Sequence, residues 1–219
     1  MTADVRPRAV IFDLWDTLVA WPLDEAAELR AGMLALVGVD EKEFGRRWRE
    51  SYRTSQTGPL APAFRQVGLP EEHVEERVAA HHAFARRVLR PRPGALEVLG
   101  ELRRRDLRLA VLSNCSEDVP VAWPDSELAG LFDVETFSSA CGAMKPDPDV
   151  YLSTAGALGV EPPACLFVGD GANDELNGAA RVGMTPVLFL PGGVRPPWPG
   201  VEGWNGPSVS SLEGVLAVV

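Results

Sequence analysis

Short unbroken apolar runs alternate along the chain with longer stretches whose apolar residues recur every three or four positions. Residues 8–15, "RAVIFDLW", run apolar into a polar turn, the pattern of a strand buried on both faces. From residue 23 to 90 the pattern becomes helical. "LDEAAELRAGMLALVG", "DEKEFGRRWRESYRT" and "LPEEHVEERVAAHHAFARRVLR" carry acids in their first turns, as helix N-termini favour. Gly38, Gly58 with Pro59, and Gly68 with Pro70 punctuate them, and this block contains no strand pattern. After "PRPG" the two kinds of segment alternate. A helix at "GALEVLGELRRRD" precedes strands at "LRLAVLSN" and "VETFSS". A helix at "DPDVYLSTAGALGV" then leads to a strand at "ACLFVGDG", a helix at "NDELNGAARVG" and a strand at "TPVLFL". A Pro/Gly-rich stretch over 191–207 comes before a last helix at "SLEGVLAVV".

Strand and helix alternation predicts an α/β fold, a Rossmann-like three-layer core around a parallel sheet. The helical block interrupts that alternation just after the first strand. It therefore reads as an inserted helical cap over residues 19–92, with the core formed by 1–18 and 93–219. There are no internal repeats.

Composition narrows the function classes. The 219 residues are 46% hydrophobic, ample for a core of this size. A net charge of −10 repels nucleic acid and anionic lipid, so neither is an expected partner. A small anionic substrate then needs a local positive pocket or a metal. Cys115, Cys141 and Cys165 have no metal-ligand spacing and read as reduced thiols. No run approaches the ~18 apolar residues of a membrane helix. "MTADVRPRAV" has no apolar signal core, so a soluble cytoplasmic protein is expected.

The candidate chemistry sits at strand ends. Asp13, Ser113 and Asp170 each follow an apolar strand, and parallel sheets bind ligands at the carboxyl ends of their strands. Lys145, in "GAMKPDPDVY", lies in a loop that Pro146 and Pro148 stiffen. A carboxylate is ionised at neutral pH and needs no base to act as a nucleophile towards phosphorus or an electrophilic carbon. Asp13 and Asp170 as a bare pair of like charges would be costly, and Lys145 with a divalent cation resolves that. Mg²⁺ takes oxygen ligands and suits such a pair.

Four segments together resemble the haloacid dehalogenase-like hydrolases, in the subgroup with a helical cap. They are "VIFDLWDTLV", "LAVLSN", "KPDPDVY" and "FVGDGANDELNGAARVGM", in that order. The resemblance implies Asp13 as nucleophile, Thr17 as a phosphate or loop contact, and Ser113 as the hydroxyl bonded to the transferring group. Asn114 beside it is a substrate-binding candidate. Lys145 becomes the balancing cation, and Asp170, Asp174, Asp13 and the Trp15 carbonyl become the Mg²⁺ ligands. Read on its own, Asp174 is equally a first-turn helix residue favoured by the dipole. Among the cap arginines, Arg49 and Arg53 are the candidates to reach a substrate anion.

Phosphatases of this family carry a second Asp two residues after the nucleophile, and here that residue is Trp15. An indole N–H cannot act as a general acid at neutral pH, and losing that acid costs about 10²–10⁴ in rate. Asp16 is one residue further on, where an extended backbone turns its side chain the other way. The resemblance therefore implies a Mg²⁺-dependent phosphatase that favours aryl or acyl over alkyl phosphates. The rival readings are a metal-free 2-haloacid dehalogenase, in which an aromatic at this position is usual, and a degraded binding or regulatory module. Asp170 favours the metal-binding form. His73, His81 and His82 read as exposed and form no zinc site. "GDGAND" lacks the spacing of the glycine-rich nucleotide loops.

Overall fold

The computed structural model describes residues 6–194 and 198–219. Residues 1–5, within the stretch read for a signal core, and 195–197 of the Pro/Gly-rich stretch lie outside the described residues. β1 (Ala9–Phe12) leads into α1 (Leu23–Val37), α2 (Glu41–Gln56), α3 (Leu60–Val67) and α4 (Val74–Val88). The chain returns through α5 (Ala95–Arg104) to β2 (Arg108–Ser113). It continues through α6 (Asp118–Ala122), β3 (Val134–Phe137), α7 (Ser138–Cys141) and α8 (Pro148–Leu158) to β4 (Cys165–Gly169). α9 (Glu175–Arg181), β5 (Thr185–Phe189), α10 (Pro199–Glu202) and β6 (Ser208–Val209) complete it. Among the described residues no helix is long and apolar enough to cross a membrane.

The strands form one parallel sheet in the order β3-β2-β1-β4-β5-β6. β1 pairs with β2 on one side and β4 on the other, which explains its uninterrupted apolar run. Side-chain alternation then sorts the sheet into two cores. Val10 and Phe12 join Val111, Val168 and Val187 on the face covered by α5. Ala9 and Ile11 join Leu112, Phe167 and Leu188 on the face covered by α8 and α9. Each fully buried Ile or Phe contributes about 1.5–3 kcal/mol. Central β1 is thus anchored from both faces, and its carboxyl end lies between those of β2 and β4.

The helices between β1 and α5 have their own core of Met33, Phe44, Leu60, Phe64, Val67, Leu69 and Val74, separate from both sheet cores. Asp40 starts α2 by accepting from the Glu43 amide at 2.8 Å. Gly38 ends α1 in the left-handed conformation, with φ of 69°, that glycine adopts without strain. Val19 bridges Pro91, so the block leaves and re-enters the core at adjacent points.

Four details differ from the sequence expectation. α3 forms directly after the Gly58–Pro59 break, because Pro59 tolerates a helix start and the apolar face of "LAPAF" packs inward. The last helix is a 3₁₀ segment, Leu212–Ala217. β6 adds an edge strand at Ser208–Val209, just beyond the Pro/Gly-rich stretch. His81 is buried rather than exposed, packed 4.8 Å from Phe64 with Nδ1 on the Arg77 carbonyl.

Candidate active site

Asp13 is the first residue beyond β1, and its amide donates to the Val168 carbonyl of β4 at 2.8 Å. Lys145 Nζ lies 2.5 Å from Asp13 Oδ1 and 2.6 Å from Glu175 Oε2, and all three groups are buried. Burial opposes the charge on Lys145, but Asp13 and Glu175 outweigh it and hold the ammonium above its ordinary range. Glu175 moves upward, because burial and the nearby Asp13 and Asp170 charges outweigh the attraction of Lys145.

The surrounding chain fixes this arrangement. Asn114 clamps the backbone of Lys145 from both sides: its Nδ2 donates to the Lys145 carbonyl at 2.9 Å and its Oδ1 accepts from the Lys145 amide at 2.8 Å. Asn114 thus ties the end of β2 to the loop before α8. Glu175 is held by the Gly171 amide at 2.9 Å, and the Tyr151 hydroxyl donates to its carbonyl at 2.9 Å. Gly169 is required for close approach, since a Cβ there would run into the Glu175 carboxylate.

Asp13, Asp170 and Glu175 offer oxygens that all lie within 4.8 Å of one another. Burial, then the neighbouring Asp13 charge, raises Asp170 above the usual carboxylate range. Asp170 Oδ1 accepts from the Ala172 amide at 3.1 Å and Oδ2 from Trp198 Nε1 at 2.8 Å. Three buried carboxylates face one ammonium, leaving an excess of negative charge in a low-dielectric setting. Hard oxygen donors with surplus negative charge fit a divalent cation such as Mg²⁺.

A cavity of about 310 Å³ opens over these groups, walled by Asp13, Lys145, Asp170 and Glu175 below and by Tyr52, Gln56 and Phe84 from the helical block. Trp15 and Asn114 also line it. The Trp15 ring packs edge-on to Trp21, with centroids 5.0 Å apart. Asp16 reaches the rim, but its Oδ1 accepts from the Trp21 amide at 2.9 Å and from Arg92 at 3.4 Å, closing the loop where the chain leaves the core. Its φ of 57° gives it that direction.

The structure thus brings Asp13, Lys145 and Asp170 together with Trp15 and Asn114 on one cavity. It places the other sequence candidates elsewhere. Asp174 is off the cluster: its carboxylate accepts from Asn177 at 2.6 Å and Arg181 at 3.1 Å, contacts that lower its pKa. Glu175, not Asp174, completes the acidic group. The sequence reading missed Glu175 by one position, and its signal was Gly169, whose missing side chain leaves room for that carboxylate. Arg49 and Arg53 are exposed and off the cavity wall. Tyr52 and Gln56 of the same helix line the cavity instead. Thr17 and Ser113 are fully buried and do not line the cavity.

The model of one protein family, the haloacid dehalogenase-like hydrolases, matches residues 7–183. The chain is 29% identical over 201 residues to a glyceraldehyde 3-phosphate phosphatase of Methanopyrus kandleri, a match spanning 84% of each chain. Its fold is similar to that of an HAD phosphatase from Thermococcus onnurineus, with a TM-score of 0.70 and 21% identity over 96% of this chain and 97% of the other. It is also similar to that of an L-2-haloacid dehalogenase from Xanthobacter autotrophicus solved with chloropropionic acid covalently bound. There the TM-score is 0.66 and the identity 20%, over 97% of this chain and 98% of the other. At those identities the two structures speak to fold alone.

Proposed function

Since the chain belongs to the haloacid dehalogenase-like hydrolases, we propose that it is a Mg²⁺-dependent phosphatase using Asp13 as nucleophile on a small phosphorylated substrate. The observation that carries this reading is Asp170 held beside Asp13 in the buried acidic group, an arrangement that favours a divalent cation. The phosphatase relative supports the same reaction class.

Asp13 Oδ attacks phosphorus, the bond to the leaving oxygen breaks, and the phosphoryl group stays on Asp13 as an acyl phosphate. Water then attacks that phosphorus, frees inorganic phosphate and restores the Asp13 carboxylate. Lys145 keeps Asp13 ionised and oriented and places positive charge beside the transferring group. Asn114 acts through the Lys145 backbone rather than on the substrate. Asp13, Asp170 and the Trp15 carbonyl would hold a Mg²⁺ ion, which when bound would neutralise charge on the phosphoryl group. The helices within residues 19–92 serve as a cap that shields the reacting carboxylate from water.

Trp15 stands where a proton donor would be needed, and Asp16 is engaged in its loop. The leaving oxygen therefore departs unprotonated, which favours aryl and acyl phosphates. Free Cys115, Cys141 and Cys165 suit a reducing, cytoplasmic setting.

The test is a panel of phosphorylated and 2-halogenated compounds, run with Mg²⁺ and with chelator, with Asp13→Asn as control. Phosphate release that requires Mg²⁺ and disappears in Asp13→Asn is expected. Chloride release from 2-chloropropionate that chelator leaves unchanged would overturn the reading in favour of dehalogenation.

A further inference from the structure

A second cavity, of about 210 Å³, lies against the helical block and meets the Asp13 cavity at Trp21, Tyr52, Gln56, Phe84, Ser116 and Asp118, each of which lines both. Its walls are mainly apolar, with Ala26 and Leu29 of α1, Trp48 of α2, and Leu60, Ala63 and Phe64 of α3. We infer that this cavity seats the substrate's leaving group, and that this group is an apolar aryl moiety larger than one ring. The inference rests on the phosphoryl-transfer reading and names its substrate class.

Three observations converge on it. The first is size. A cavity of about 150 Å³ accommodates benzene, so 210 Å³ leaves room for more than one ring. The second is polarity. The serine hydroxyls lining this cavity are already engaged, Ser51 on the Trp48 carbonyl at 3.0 Å, Ser55 on the Tyr52 carbonyl at 2.8 Å and Ser116 on the buried Asp118 carboxylate at 2.5 Å. His81 Nδ1 is on the Arg77 carbonyl at 2.9 Å. The Arg30 guanidinium stacks 5.0 Å above the Phe44 ring. A sugar placed here would surrender water from its hydroxyls for few partners, whereas an aryl group needs none. At the junction, Trp21 and Tyr52 keep 39% and 38% of their surface exposed, apolar area that a flat ligand would cover.

The third observation is chemical. With Trp15 and an engaged Asp16 beside the nucleophile, the leaving group departs as an anion. A phenol ionises near pH 10, far more readily than an aliphatic alcohol. Asp13 forms its bond to phosphorus, the bond from phosphorus to the aryl oxygen breaks, and the electron pair leaves on the aryl oxide, which takes a proton from water. The cavity and the missing acid thus select the same substrate class from independent sides.

The test compares 2-naphthyl phosphate with phenyl phosphate, whose leaving groups have similar acidity, and glycerol 3-phosphate. Burial of the second ring predicts a kcat/KM advantage of naphthyl over phenyl of about tenfold or more, with glycerol 3-phosphate poorest. Ala26→Phe, which fills the second cavity from α1, should collapse the naphthyl-to-phenyl ratio towards unity, and Leu29→Trp serves if Ala26→Phe lowers folding. A ratio near unity in the wild type, or one that neither variant changes, would overturn the inference. If no phosphate ester is turned over, the phosphoryl-transfer reading fails instead. Binding of the non-hydrolysable 2-naphthylmethylphosphonate and methylphosphonate, followed by tryptophan fluorescence, then decides. Tighter naphthyl binding that Ala26→Phe removes upholds the cavity's role, and equal binding ends it.

Discussion

Lys145 Nζ sits 2.5 Å from Asp13 Oδ1 across 132 residues of sequence, with Glu175 closing on the ammonium from the other side. This buried contact joins the end of β1 to the loop before α8 and the start of α9. It sets the charge balance of the whole site, because both carboxylates lose their shared counter-ion if it is removed.

Lys145→Met should therefore destabilise the fold as well as abolish turnover. Breaking a buried ion pair by removing one partner costs about 3–5 kcal/mol. Urea denaturation in chelator measures this, and added Mg²⁺ should restore part of the loss by taking over the uncompensated carboxylate charge. A variant as stable as the wild type in chelator would show that the ion pair does not carry the charge balance.

Glu175 and Asp174 adjoin in sequence but should behave oppositely. Glu175→Gln removes a member of the acidic group, so Mg²⁺ should raise its melting temperature less than that of the wild type. The wild type gains about 2.7 kcal/mol when Mg²⁺ is at 100 times its Kd. Asp174→Asn breaks only a surface pair worth about 0–1 kcal/mol and should keep the full Mg²⁺ response. Thermal melts across a Mg²⁺ titration distinguish the two.

Trp15→Asp places a carboxyl where a leaving group would receive its proton. Turnover of alkyl phosphates should rise by about 10² relative to aryl phosphates, which need no proton. The variant gives up the edge-on packing against Trp21, so it should also melt earlier. An unchanged alkyl-to-aryl ratio would show that the missing acid does not limit the reaction.

The cysteines should differ sharply in reactivity. Burial pushes the Cys115 thiol up to about 12 and the Cys165 thiol up to about 11, while Cys141 is exposed. Thiolate is the reactive form, so a disulfide reagent at neutral pH should label Cys141 in the folded protein and all three in urea. Peptide mapping identifies the labelled thiol.

Much of this was legible in the sequence, for physical reasons. The apolar runs before Asp13, Ser113 and Asp170 could only be buried parallel strands, and such strands deliver their following residues to one edge of the sheet. Lys145 was legible only through the resemblance of "KPDPDVY", since a lone loop lysine reads as a solvated surface residue. What escaped depended on rotation and spacing rather than on residue type. Arg49 and Arg53 have the right charge, but Tyr52 and Gln56 of the same helix line the cavity instead, and spacing alone could not tell which side chains would reach it. Asp174 displaced Glu175 because both are acids at a helix start. The left-handed backbone at Asn173 and Asp174, with φ of 55° and 59°, turns one outward before the helix turns the next inward. Trp198 on Asp170 had no signal, since it comes from a stretch whose Pro and Gly content reads only as loop. The second cavity arises where helices distant along the chain meet, which no local pattern encodes.

The most direct test of the central claim is to trap the covalent step. The protein is mixed with Mg²⁺ and an aryl phosphate, quenched in acid within one turnover, and its peptides are mapped by mass spectrometry. A hydroxylamine-sensitive phosphoryl group on the peptide carrying Asp13, dependent on Mg²⁺ and absent from Asp13→Asn, is the predicted result. Phosphate release with Asp13 unmodified at every quench time, or turnover that persists in Asp13→Asn, would contradict it.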